Sequence, residues 1–232
     1  MDGVREAGMT RPFAVTSLGS KIVAALTGFV LTAFVIFHML GNLQVFQGRD
    51  ALNSYAAFLR ELPLLLWSAR IGLFVMAALH VGMTLQLAIG NRRARPVSYA
   101  RREYRKASLA SRTMALSGTL LLLFIVFHLL HLTAGVIDTS FLDRPDLRGH
   151  RDVYGRVIHA FQTPWIVIVY VVGQAALALH LSHGVSSMFQ TWGFEHPLFN
   201  RFFRSAGPLV AGIVVGGNIA IILAIAFGVL RA

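Results

Sequence analysis

The 232-residue chain contains no cysteine. Disulfides, thioether-attached haem and thiolate-held iron–sulfur clusters are therefore excluded within it. Charge is scarce as well: 13% of residues are Asp, Glu, Lys or Arg, against about a quarter in soluble domains. Acidic residues are the scarcest, ten against 21 Lys and Arg, and none falls well inside an apolar run. With 56% hydrophobic residues and a mean hydropathy of +0.64, the composition is that of an integral membrane protein. The net charge of +11 resides in arginines clustered between apolar runs. It therefore reads as membrane topology, with acidic lipid headgroups or a partner subunit as its counterpart, and no nucleic-acid partner is expected.

What the chain has in abundance is long apolar runs. Five reach the roughly 20 residues that a bilayer requires: about 22–46, 64–89, 113–137, 164–188 and 207–230. The fold expected is all-α, a single membrane domain over residues 1–232 with five transmembrane helices. The first run follows a polar leader, is too long for a signal peptide and has no small-residue cleavage site. Basic residues collect before the first run (Arg5, Arg11, Lys21), after the second (Arg92 to Arg112) and after the fourth (Arg201, Arg204). That excess places these segments and the N-terminus in the cytoplasm and the C-terminus outside, although the loop between the third and fourth runs also carries four arginines. In the two outer loops, Leu52, Tyr55, Leu59 and Leu62, and likewise Tyr154, Val157, Ile158 and Phe161, follow a helical period. Two short surface helices are expected there.

Histidines interrupt the apolar runs, and an ionisable group at such depth is a functional candidate. His38 lies 17 residues beyond Lys21 and His128 16 residues beyond Arg112, so both sit about 25 Å from the inner end of their helices. His80 and His180 lie about as far from the outer ends of theirs. The four histidines thus sort into an outer pair, His38 with His128, and an inner pair, His80 with His180. Two pairs at two depths suit two haems, each iron taking two axial imidazoles. A macrocycle also needs small residues beside it. Gly28 and Gly118 each lie ten residues before the histidine on their own helix, about 15 Å away and so at the inner level. Gly72 and Gly173 precede His80 and His180 by eight and seven residues, toward the outer level. Zinc or copper would draw the imidazoles to one point and recruit carboxylate or thiolate.

Other residues leave alternatives open. His131 and His183, three residues after His128 and His180, are alternative ligands, propionate contacts, quinone-pocket residues or plain helix–helix hydrogen-bonding groups. Arg70 either snorkels to the surface or neutralises an outer-haem propionate. His150, His159 and His196 lie in loops without a clear signal.

The stretches "FHMLGNLQVFQGRDALNSYAAFL", "ALHVGMTLQLA", "IVFHLLHL" and "LHLSHGVSSMFQTWGF" resemble the single-chain, five-helix, dihaem cytochrome b subunit of bacterial succinate:quinone and quinol:fumarate oxidoreductases. The resemblance covers about residues 15–195 and implies His38, His80, His128 and His180 as axial ligands of two b haems. It implies pairing of the first helix with the third and of the second with the fourth. It further implies a flavoprotein subunit and an iron–sulfur subunit docked on the cytoplasmic face. Electrons would pass between succinate or fumarate and a membrane quinone, menaquinone or ubiquinone, in the bacterial cytoplasmic membrane. Some relatives carry a buried glutamate two residues before the fourth ligand, where this chain has Ala178. Glu61, at the outer end of the second span, is the nearest carboxylate to serve a quinol. The rivals are another respiratory dihaem cytochrome b, whose ligands pair along two helices, and a haem-free anchor; a visible spectrum separates the latter.

Overall fold

A computed structural model of the chain describes residues 16–94, 108–139, 145–146, 148–149, 151–194 and 198–231. The residues His150 and His196, and most of the basic loop after the second span, lie outside the described residues. The described chain is all-α: eight α-helices and one isolated bridge, Pro145 to Arg151, without a sheet. The helices are α1 (Ser17–Asn42), α2 (Arg49–Glu61), α3 (Pro63–Arg93), α4 (Leu109–Arg112), α5 (Met114–His128), α6 (Val153–Gln162), α7 (Pro164–Thr191) and α8 (Asn200–Ala226). A 3₁₀ turn, Leu43–Gln47, prolongs α1, and a π turn, Leu129–Thr133, prolongs α5. Five of these helical stretches are long and apolar enough to cross a membrane.

The helix ends differ from the apolar runs for local reasons. α1 starts at Ser17, because the Thr16 hydroxyl accepts from the Gly19 N–H and caps the first turn. α3 continues to Arg93, with two arginines in its last turn against the negative end of the helix dipole. The third run ends earlier than its apolar composition, in the π turn at Thr133 just ahead of Gly135 at φ 68°. α8 starts seven residues early and stops at Ala226, where Gly228 (φ 70°) takes the left-handed conformation that closes a helix. Pro208 lies inside α8 and has no N–H for the Arg204 carbonyl. The Ser186 hydroxyl of α7 donates to that carbonyl instead, at 3.0 Å.

The two expected surface helices are α2 and α6. Each runs straight into a spanning helix at a proline: Leu62–Pro63 before α3 and Thr163–Pro164 before α7. A residue before proline is pushed out of the helical region, and Leu62 (ψ 64°) and Thr163 (ψ 112°) are. Proline then suits the first turn of the next helix, where its missing N–H costs nothing. The chain therefore repeats one unit, a span, a surface helix and a proline corner into the next span.

At the α2/α6 end, Val45, Leu52, Ile158, Phe161, Ile222 and Ile225 form one buried cluster. Fully burying a side chain such as Ile158 is worth about 1.5–3 kcal/mol. Above it a polar staple joins the loops. Buried Asn53 donates to Asp146 and Asp152 and accepts the Tyr154 N–H, and Arg49 pairs with Asp152 at 3.6 Å. A second cluster at the opposite end holds Leu177, Leu181, Val185, Met188, Ala211 and Val214. Along the bundle α1 packs on α3 and α7, α5 on α7, and α8 on α7 and α1. The remaining combinations, α1 with α5 and α3 with α7 among them, are not close-packed, and α3 buries none of its residues.

Candidate functional site

Two of the helix combinations that are not close-packed are the ones whose histidines meet. His38 of α1 and His128 of α5 have ring centres 5.9 Å apart, edge to face. His80 of α3 and His180 of α7 are 6.2 Å apart at 70°. These side chains reach each other between helices that are not close-packed. Two imidazoles ligating one metal ion from opposite sides, with metal–nitrogen bonds of about 2 Å, hold their ring centres about 6 Å apart.

The pairs lie at two levels. A Cβ built on Gly28 would stand 3.1 Å from His80 Cε1, and one on Gly118 would stand 3.3 Å from His180 Cε1. Gly28 and Gly118 thus lie against the second pair, each ten residues before the histidine of the first pair on the same helix. Ten residues rise about 15 Å. The neighbour that needs the missing side chain is the imidazole itself. Gly173 lies under the Phe124 ring, which in turn is 6.0 Å from His128, whereas Gly72 faces open space.

Each of these imidazoles has its own surroundings. His80 Nδ1 lies 3.0 Å from the Ala24 carbonyl and 3.2 Å from the Thr27 hydroxyl. Thr27 in turn donates back along α1 to the Val23 carbonyl at 2.8 Å. An N–H at Nδ1 directed at a carbonyl leaves Nε2 as the lone-pair nitrogen, the usual arrangement for a metal-bound histidine. His128 Nδ1 lies 3.2 Å from the Tyr170 hydroxyl. His180 Nδ1 is buried without any hydrogen-bond partner. The donor set is imidazole only: among the described residues no cluster of three or more His, Cys, Asp or Glu could hold a metal ion. Two imidazoles facing each other suit a metal whose remaining positions are supplied by a macrocycle, and the residues fit haem.

The other candidates fall into place around these pairs. His131 is buried, at 1% exposure, its Nδ1 3.1 Å from the same Tyr170 hydroxyl and its carbonyl accepting from Arg156 at 2.6 Å. His183 lies beside His180 on α7 and is half-buried. His159 approaches Asp138 at 3.3 Å on the surface. Glu61 is exposed at the end of α2, and Ala178 leaves α7 without a carboxylate at that position.

Arg70, its guanidinium 5.1 Å from the centre of the Trp67 ring, has company that the sequence did not single out. With Arg60, Arg151 and Arg156 it lines a pocket of about 260 Å³ at the α2/α6 end, between α2, α3, the π turn and α6. Burial, then the charges of Arg151 and Arg70, hold the Arg60 guanidinium below its ordinary range. Burial and Arg151 do the same to Arg156, against the opposing pull of Asp138 and Tyr170. Four cations against the single carboxylate of Asp152 in the same lining favour an anion there. Tyr170 is the other residue the sequence reading missed. It lies ten residues before His180, so the same rise that placed the glycines would have put it at the level of His128.

A family model describing the succinate dehydrogenase/fumarate reductase transmembrane subunit matches residues 91–217. The chain belongs to that family. The match takes in His128 and His180 and the helices α5 and α7 that carry them; His38 and His80 lie before it. No curated protein and no solved structure matches the chain significantly. This family member is a multi-pass membrane protein with five long apolar helices.

Proposed function

We propose that this subunit is the dihaem cytochrome b anchor of a succinate:quinone or quinol:fumarate oxidoreductase in a bacterial cytoplasmic membrane. The observation that carries the reading is the meeting of His38 with His128 and of His80 with His180, at two levels and across unpacked helix pairs. His38 and His128 would hold the iron of an outer haem, and His80 and His180 that of an inner one. When bound, haem supplies one-electron transfer. The chain supplies ligation, burial and spacing: Ala24 and Thr27 orient His80, Tyr170 orients His128, and Gly28 and Gly118 admit the two inner imidazoles. The arginine pocket, one turn beyond His128, would supply the cations that outer-haem propionates need.

The N-terminus and the basic segments lie on the cytoplasmic side, where a flavoprotein subunit and an iron–sulfur subunit dock near the inner haem. Succinate or fumarate chemistry belongs to the flavoprotein, and this chain carries electrons to or from menaquinone or ubiquinone. Glu61 is exposed, within reach of a quinol at the outer face. The test is a reduced-minus-oxidised spectrum of the purified complex with a haem count. Two b-type haems per copy of this chain support the reading, and a flat spectrum overturns it.

A further inference from the structure

We infer that Tyr170 is a positioning residue for the outer site and fixes the tautomers of both His128 and His131. The inference rests on His128 being an iron ligand. The Tyr170 hydroxyl lies between two ring nitrogens, 3.2 Å from His128 Nδ1 and 3.1 Å from His131 Nδ1. It has one proton and so donates to only one of them. A neutral imidazole that gives its Nε2 lone pair to a metal carries its proton on Nδ1. His128 Nδ1–H therefore donates to the Tyr170 oxygen, and the Tyr170 O–H donates to His131 Nδ1. His131 is left with its proton on Nε2. Its ring is turned to Tyr170 and Phe127, not to His38, and its backbone is anchored by Arg156. His131 is thus the acceptor that orients the tyrosine, which orients the ligand.

The arrangement is rigid. Tyr170 is 4% exposed and packs edge-on against Phe124, Phe127 and Phe161. The inner site is built differently: His80 Nδ1 faces the Ala24 carbonyl and the Thr27 hydroxyl, whose own proton goes to the Val23 carbonyl and not to a second imidazole, and His180 Nδ1 has no partner. An acceptor at Nδ1–H increases electron donation by the ligand and favours the oxidised metal. Donation onward to His131 strengthens the tyrosine oxygen as an acceptor, because chained hydrogen bonds polarise one another. Tyr170 therefore lowers the potential of the outer haem alone.

The test is a redox titration of the two haems in the intact complex, with electron paramagnetic resonance of the oxidised state. Tyr170→Phe keeps the ring packing and removes only the hydroxyl. One haem should become easier to reduce by roughly tenfold in its reduced-to-oxidised ratio, about 59 mV for one electron, with a changed low-spin signal. The other haem should stay as in the unaltered protein. His131→Phe should shift the same haem in the same direction by less. The inference is overturned if Tyr170→Phe leaves both potentials and both signals unchanged, or shifts the two haems equally. An unaltered complex without haem would instead overturn the reading of the ligands.

Discussion

Gly28→Ala adds one methyl group against a single ring, and its effect should stay at one haem. The new carbon would sit 3.1 Å from His80 Cε1, where ordinary contact begins at 3.4 Å. The ring must give by a few tenths of an ångström, and its Nδ1 is tied to the Ala24 carbonyl at 3.0 Å on the same helix. Overpacking of this kind costs about 1 kcal/mol at the low end of its range, about a fivefold weakening of the inner site. The helix itself favours alanine over glycine by about 1 kcal/mol, so thermal stability of the protein should hold or rise while haem is lost. Gly118→Ala meets His180 at 3.3 Å and should do less. Gly72→Ala meets nothing within 4 Å and serves as control. The assay is haem content and separate redox titration of the two haems in purified complexes. Equal loss of both haems, or a Gly72→Ala effect as large as that of Gly28→Ala, would refute the reasoning.

Replacing His38 or His128 by alanine should abolish one haem signal, and replacing His80 or His180 the other. A spectrum of each purified variant checks this, and loss of the same haem from His38→Ala and His80→Ala would break the pairing. Asn53→Leu leaves the carboxylates of Asp146 and Asp152 and the Tyr154 N–H short of a partner at a buried site; a loss of about 2–4 kcal/mol should appear in thermal unfolding, with haem spectra intact until the transition. Ser186→Ala removes the hydroxyl that serves the Arg204 carbonyl opposite Pro208, and should cost about 1 kcal/mol by the same measurement, without changing either potential.

Much of the candidate site's layout was legible along the chain because helical rise converts residue spacing into depth. His38, His80, His128 and His180 could be sorted into levels, and Gly28 and Gly118 assigned to the inner one, without any coordinates. The surface helices were legible from apolar period, since an interface gives such a helix one wet and one greasy face. The extent of α8 was less so, because Asn200 and Arg201 are polar yet helical and the stop at Gly228 is set by a backbone dihedral. The arginine pocket was hidden because Arg60, Arg70 and Arg156 come from three separate helices and Arg151 from the loop before α6. Tyr170 was hidden because a tyrosine in an apolar run resembles ordinary packing until its hydroxyl is seen between two imidazoles.

By itself, then, the sequence determined the class of fold and the depths, since a bilayer demands apolar length and a helix advances by a fixed rise. Depth paired the rings along the chain; only the tertiary structure turned the paired rings toward each other, on helices that are not close-packed. Rotation of a helix about its axis and its distance from a neighbour depend on packing by all the others, here chiefly α1 and α7 holding α3 and α5 in place.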